Sequence, residues 1–309
     1  MIDKGTHRYL DDKRNENIQI FINGELYPRE KASISVFDSG FLLGDGVWEG
    51  IRLLNGHLVF LEEHLDRLYH GAGKLVIDIG HTRKELTGLI QDTLDANNME
   101  TGVHIRLIVS RGLKKTPYQH PNANVGGSSI IIIPEYKKSD ETVNIEGIRL
   151  VTVNTRRGTP DSQDPRLNTL SKLNCIAACI EADKAGAHEG IMLDINGNVS
   201  TCNSTNFFIL KGGEVWTSTG EFCLPGVTRK AVIDLCRRNK ITIKEKDFTT
   251  QDVHSANEAF VTGTFAGIIP AVEIDRQAIS GGVRGEITHM LQDLYKEKLT
   301  QLYPGKAEK

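Results

Sequence analysis

Leu224-Pro225-Gly226-Val227-Thr228-Arg229 leads straight into a helical apolar periodicity that runs to Arg238. The N–H groups in the first turn of a helix have no partner inside it, point outward and carry partial positive charge. Such an entry holds a phosphate well. Gly226 lets the main chain come close to a ligand, and Thr228 adds a hydroxyl. The same Pro-Gly-x-Thr pattern also opens ordinary helices, where it serves only to start the first turn. The segment therefore has to be read with its surroundings.

Two other segments offer anion-binding groups. Thr262-Gly263-Thr264-Phe265-Ala266-Gly267 follows an apolar strand pattern at residues 258–261. A loop of small residues presents main-chain donors and hydroxyls to an anion, or is a plain turn. Arg67 lies in His64-Leu65-Asp66-Arg67-Leu68, on a stretch (residues 61–75) whose Leu65, Leu68, Tyr69 and Leu75 share one helical face. An arginine there is solvated, is paired with a neighbour such as Glu63, or faces a cleft.

Around these segments the chain alternates short strands and helices. Asn23-Gly24 and Asn55-Gly56 each sit between apolar runs and read as hairpin turns. Thr82 with Glu85 reads as a capping box. Residues 104–110 and 129–134 read as strands, and the polar run PEYKKSDE at 134–141 as an interdomain connection. Beyond it come a strand at 148–153, a helix at 169–185, and strands at 191–193, 206–210 and 215–216. A helix at 227–238, strands at 258–261 and 268–274 and a closing helix at 282–303 follow. The pattern is α+β in two domains, residues 1–134 and 143–309, joined by 135–142. A cleft between them is the expected place for a small-molecule site.

With 309 residues the chain is long enough for two cores, and its 39% hydrophobic and 25% charged residues are those of a water-soluble fold. A net charge of -3 and the lack of a Lys/Arg block argue against a nucleic-acid binder. Residues 1–17 are polar, and no apolar run has the length of a membrane span, so the cytoplasm is the expected compartment. Five scattered cysteines fit reduced thiols, and Cys175 and Cys179 are expected as buried small hydrophobes. No histidine pair has metal-ligand spacing, so no metal is expected. Trp48 and Trp216 read as packing residues. Residues 114–121, polar and with two prolines, read as a loop bordering the cleft or as a solvated one.

Taken together and in order, these segments resemble the class IV (fold type IV) pyridoxal-phosphate enzymes. That group holds branched-chain and D-amino-acid aminotransferases, (R)-selective amine transaminases and aminodeoxychorismate lyase. The resemblance runs from about Ile20 to Leu299. It is carried by FDSGFLLGDGVWEGIR (37–52), HLDRL (64–68), Ser110-Arg111-Gly112, EGIMLDINGNVS (189–200), residues 204–207, LPGVTR and VTGTFAG. It implies a D-amino-acid aminotransferase-like fold and a homodimer that binds pyridoxal 5'-phosphate, an amine or amino acid and a keto acid. By resemblance Arg67, Val227, Thr228 and Thr264 hold the cofactor phosphate. Arg111, with the Thr264-Phe265 main chain, meets a substrate carboxylate, and Phe41 and Leu43 line the side-chain pocket.

Two positions depart from the family pattern. The family's Schiff-base lysine falls, by counting back from Glu189-Gly190, at Asn168; the lysine nearby is Lys172, in Ser171-Lys172-Leu173-Asn174. Read as helix, the two positions lie one turn and about 6 Å apart on one face, so Lys172 is expected to do the family lysine's work. The alternative is a surface lysine on a protein that binds the cofactor without covalent chemistry. The family's ring-nitrogen glutamate is replaced by Thr201, which cannot hold a proton on the ring as a carboxylate does. A transaminase acting through Lys172 is the leading expectation. A lyase on the same scaffold and a non-catalytic cofactor-binding protein are the alternatives.

Overall fold

The computed structural model describes residues 5–6 and 11–305. Of the polar N-terminal stretch, residues 1–4 and 7–10 lie outside the described residues. The chain divides into two compact units. The division is not collinear with the expected domains. It falls at 138/139, and residues 167–172 and 303–305 group with the N-terminal unit rather than with the rest of 143–309.

The N-terminal unit contains β1 (Gln19–Ile22), β2 (Glu25–Pro28), α1 (Ser39–Leu43), β3 (Gly46–Leu54), β4 (His57–Leu58), α2 (Leu61–Lys74) and α3 (Arg83–Ala96). It continues through β5 (Val103–Ser110), β6 (Leu113–Lys114), β7 (Asn124–Val125) and β8 (Ser129–Tyr136). Its main sheet has the order β2-β1-β8-β5-β3-β4. Both expected hairpins form. Asn23 (φ 51°) and Asn55 (φ 53°) take the left-handed conformation that a two-residue turn requires, each followed by a glycine of positive φ. The capping box at Thr82 and Glu85 starts α3. Alternate residues of β3 and β5 (Val47, Ile51 and Leu53; Ile105, Leu107 and Val109) meet Leu65 and Leu68 of α2 and Leu86, Ile90 and Leu94 of α3 in one core. The opposite face of the same strands carries Trp48, Gly50, His104, Arg106 and Ile108. The expected loop at 114–121 lies between the short strands β6 and β7, which pair with each other, with Lys114 Nζ donating to Asn124 Oδ1.

The C-terminal unit contains α4 (Glu141–Glu146), β9 (Ile148–Thr152), α5 (Pro160–Gln163), α6 (Leu173–Lys184), β10 (Glu189–Leu193), β11 (Val199–Cys202), β12 (Asn206–Lys211) and β13 (Glu214–Thr217). α7 (Val227–Arg238), β14 (Ile243–Glu245), α8 (Thr250–His254), β15 (Glu258–Gly263), β16 (Gly267–Ile274), β17 (Gln277–Ala278) and α9 (Glu286–Leu302) follow. Its nine-stranded sheet runs β11-β10-β9-β16-β15-β12-β13-β14, with β17 on β16. Phe207, Ile209, Val261, Ile269 and Ile148 fill one side of it.

One expected helix is corrected. The helix read at 169–185 begins only at Leu173. On the side of β3 away from β5, only Leu53 and Leu54 pair with β4, which leaves the edge at Gly46–Trp48 open. Residues 168–170 fill that edge instead of coiling: Trp48 N donates to Asn168 O (3.0 Å) and Leu170 N to Gly46 O (2.9 Å). Satisfying an open strand edge outweighs a weak local helix preference. Gly46 makes the approach possible, because a Cβ there would lie 2.6 Å from both Leu170 Cδ1 and Val109 O.

Candidate active site

The N-terminal unit assembles the amine. Because residues 168–172 are not helical, Asn168 and Lys172 do not share a helix face, and the one-turn relation expected between them does not hold. The half-buried Lys172 instead folds back along its own segment, and its Nζ donates to Asn168 Oδ1 at 3.0 Å. Asn168 is buried, and its Nδ2 donates to the Trp48 carbonyl at 2.7 Å. Trp48 is more than packing. Its indole Nε1 donates to Thr169 O (3.1 Å), and its ring carries Arg106 Cζ at 3.7 Å and Lys172 Nζ at 5.4 Å from the centroid. Burial lowers the Arg106 pKa, partly offset by the charges of Glu135 and Glu49.

Arg67 is anchored, though not by Glu63. Glu49 accepts from Arg67 Nε and Nη2, each at 2.7 Å, and from His64 Nδ1 at 2.7 Å. Glu49 and His64 are fully buried. Burial works to raise the Glu49 carboxyl, yet the guanidinium and the imidazole hold it below the ordinary range. Arg111 is likewise committed. Its Nε and Nη2 grip Asp45 at 2.6 and 3.0 Å, and its Nη1 and Nη2 donate to the carbonyls of Val76 and Leu75. It braces the end of β5, the exit of α1 and the end of α2, at the position from which it was expected to meet a substrate carboxylate. Phe41 and Leu43, expected to line a pocket, are 67% and 42% exposed on α1.

The C-terminal unit assembles a corner with hydrogen-bond donors left unpaired among the described residues. Gly226 is the N-cap of α7 and no side chain caps the helix, so the first-turn N–H groups of Val227 and Thr228 have no side-chain partner there. The loop before it is held by Asn206 Nδ2 donating to Leu224 O (3.0 Å). A Cβ at position 226 would lie 2.1 Å from Asn206 Oδ1, so only glycine fits. Thr262 is paired with Asn206 across β12 and β15, so both side chains stand on the same sheet face; Thr262 Oγ1 is buried with no hydrogen-bond partner among the described residues. Thr264 is half-buried in the turn after β15, and the Phe265 ring beside it is buried. Thr201, on β11, donates to Thr205 O at 2.7 Å.

Asn206 links the loop before α7 to β15, where Thr262 stands two residues before Thr264; Asn206 and Thr262 were not singled out in the sequence reading. Glu49, His64, Trp48 and Arg106 were missed as well. The strand alternation 104-106-108 and the one-turn spacing of His64 and Arg67 were the available signals. Cys179 is exposed and Cys175 half-buried, contrary to expectation, with Arg157 donating to the Cys175 sulfur. Among the described residues no cluster of three or more His, Cys, Asp or Glu is suited to a metal ion, and no helix is long and apolar enough to cross a membrane.

The family described as Amino-transferase class IV matches residues 46–274, most of the chain. The chain belongs to the class IV aminotransferase family. It is 40% identical over 287 residues to an Arabidopsis thaliana branched-chain-amino-acid aminotransferase-like protein 1, covering 93% of this chain and 51% of that protein. It therefore spans about half the length of that relative. It is 32% identical over 295 residues to a Listeria monocytogenes D-alanine aminotransferase, covering 92% of this chain and 97% of that one. Its fold is similar to the crystal structure of the branched-chain aminotransferase from the thermophilic archaeon Thermoproteus uzoniensis with norvaline, at a TM-score of 0.83 and 28% identity, with 93% and 96% of the two chains covered. The architecture is that of fold type IV.

Proposed function

We propose that the chain is a pyridoxal-phosphate-dependent aminotransferase that moves an amino group between an amine or amino acid and a keto acid. Its residues fit the cofactor part by part. The uncapped entry of α7 and the buried Thr262 hydroxyl suit a phosphate. Thr264 and Arg67 belong to the same set by resemblance, Arg67 with its charge already matched by Glu49. Thr201, whose hydroxyl donates to Thr205 O, keeps an uncharged oxygen that can accept a hydrogen bond.

Bound pyridoxal phosphate supplies an aldehyde that captures amines and a ring that accepts electrons when a Cα proton leaves. Lys172 Nζ is the amine offered to it and the base that carries the proton. The observation that carries this reading is the 3.0 Å bond from Nζ to Asn168 Oδ1, which brings the amine to the residue standing at the family lysine's position. Arg106 takes the part expected of Arg111. It lies on the same indole as Lys172, and among the described residues no carboxylate hydrogen-bonds to it, so it suits a substrate carboxylate. The exposed apolar side chains of Phe37, Phe41, Leu43 and Leu113 support a homodimer in which a second copy covers α1 and its surroundings. Five free thiols support a reducing, cytoplasmic setting.

The test is borohydride reduction of the protein reconstituted with pyridoxal phosphate, followed by peptide mapping, alongside a donor and acceptor panel. A phosphopyridoxyl mass on Lys172 and exchange that requires a keto acid are expected. A label on any other residue, or ammonia release without a keto acceptor, sinks the reading.

A further inference from the structure

Asn168 has two neighbours with opposite demands. The Trp48 carbonyl can only accept, and the Lys172 amine, when protonated, can only donate. One orientation of the carboxamide serves both, with Nδ2 toward Trp48 O (2.7 Å) and Oδ1 toward Nζ (3.0 Å). The backbone of Asn168 is fixed as well, since its carbonyl accepts from Trp48 N at 3.0 Å. Trp48 is fixed in return by its indole bond to Thr169 O (3.1 Å). A buried amide tied at main chain and side chain has no rotamer freedom left, whereas the four-carbon stem of Lys172 has a great deal. The rigid partner therefore decides where the flexible one ends.

We propose that Asn168 is a positioning residue: locked by Trp48, it presents Oδ1 to the Lys172 amine and holds that amine where the reaction needs it. The inference rests on the reading of Lys172 as the reacting lysine. A lysine four residues from the family position thereby supplies its amine at that position, with an asparagine in the space that the family's side chain takes. The bond also acts on proton exchange, because Oδ1 accepts a hydrogen bond from the ammonium as well as from the free amine. A carboxylate in its place would hold the ammonium by charge. Arg106 lies against the same indole as the amine.

The experiment reads the amine directly. The chain without cofactor is treated with a trace of acetic anhydride across a pH series, and modification of Lys172 is followed by peptide mass spectrometry. Reconstituted protein is reduced with borohydride in parallel, and thermal melting confirms that each variant folds. In Asn168→Asp the carboxylate should move the pH midpoint of Lys172 acetylation upward by about one unit or more, with borohydride trapping shifted in the same direction and recovered at higher pH. In Asn168→Ala the released amine should lose about tenfold or more in trapping on Lys172 while remaining open to acetylation. A merely structural asparagine would lower trapping equally at every pH and leave the acetylation midpoint unmoved. Label on Lys172 in the unmutated protein, with wild-type profiles in both variants, overturns this proposal alone. Unmutated protein labelled elsewhere overturns the parent reading and this proposal with it.

Discussion

The α7 entry of the C-terminal unit and the Trp48 corner of the N-terminal unit solve two binding problems with different materials. The first is made of main chain. Gly226, the N–H groups of Val227 and Thr228, and the hydroxyls of Thr228 and Thr262 supply donors whose directions are set by the start of one helix and one strand pair. The second is made of side chains that grip one another or a nearby carbonyl: Lys172 Nζ on Asn168 Oδ1, Asn168 Nδ2 on the Trp48 carbonyl, and the Trp48 indole on the Thr169 carbonyl. A main-chain site tolerates little change at its glycine and much at its other positions. A side-chain site can exchange its members, provided the reactive atom ends in the same place. On the proposed reading, this is why the expected pattern reads directly around LPGVTR and only through a displaced lysine around Asn168.

The sharpest way to break the comparison is at Lys172. Lys172→Ala removes the proton carrier, and a fall in turnover of about 10²–10⁴-fold is expected, with melting temperature unchanged because the side chain is only half-buried. Single-turnover spectroscopy of the reconstituted protein, with and without added primary amine, checks it. Turnover within twofold of wild type would return the lysine to the surface.

The second effect is on stability. Glu49→Ala leaves the Arg67 guanidinium and the fully buried His64 without their shared carboxylate, and removing one partner of a buried ion pair costs about 3–5 kcal/mol. Urea unfolding of the variant measures it. Cofactor affinity should fall in the same variant if Arg67, no longer aimed, contributes to holding phosphate.

Gly226→Ala should have a smaller effect, confined to the C-terminal unit. The added Cβ would meet Asn206 Oδ1 at 2.1 Å, so Asn206 must turn away and release Leu224 O, at about 1–3 kcal/mol for an overpacked site. Isothermal titration with pyridoxal phosphate should report weaker binding. The amine corner should be untouched, and the acetylation midpoint of Lys172 should stay at its wild-type value.

These three sites were legible in the sequence to different degrees, for a physical reason. The α7 entry could be read because its partners are consecutive residues and its donors are backbone atoms that every helix start possesses. Glu49–Arg67 and Arg111–Asp45 could not, because the partners are 18 and 66 residues apart and no local pattern pairs them. Residues 169–172 were misread as helix because the periodicity of the following α6 runs back through them. The open edge of β3 that claims them exists only once β3 and β5 have paired. Lys172 was expected one helical turn from Asn168; the extended strand edge replaces that turn, and a side-chain hydrogen bond from Nζ to Asn168 Oδ1 at 3.0 Å brings the two residues together instead.

The finest test sets two buried glutamates against each other, one in each unit. Burial works to raise both. At Glu49 the Arg67 guanidinium and the His64 ring overcome it, and the carboxyl lies below its ordinary range. At Glu189 only hydroxyls and a main-chain N–H oppose burial, with Thr6 and Thr205 donating to the two oxygens, and the carboxyl is raised. The signs follow from linkage. Glu49, depressed in the folded state, contributes stability that is present above its unfolded value of about 4.3 and is lost as pH falls through the folded one. Glu189, raised in the folded state, contributes stability that is present below about 4.3 and is lost as pH rises through its folded value. Each unit of displacement is worth about 1.4 kcal/mol. Glu49→Gln should therefore flatten the acid limb of a stability–pH curve measured by urea unfolding from about pH 3 to pH 8, whereas Glu189→Gln should lift its neutral side. Parallel curves for the two variants would mean that the charged partners at Glu49 and the uncharged ones at Glu189 have the same effect, and the distinction between the two units would fail where it is most directly electrostatic.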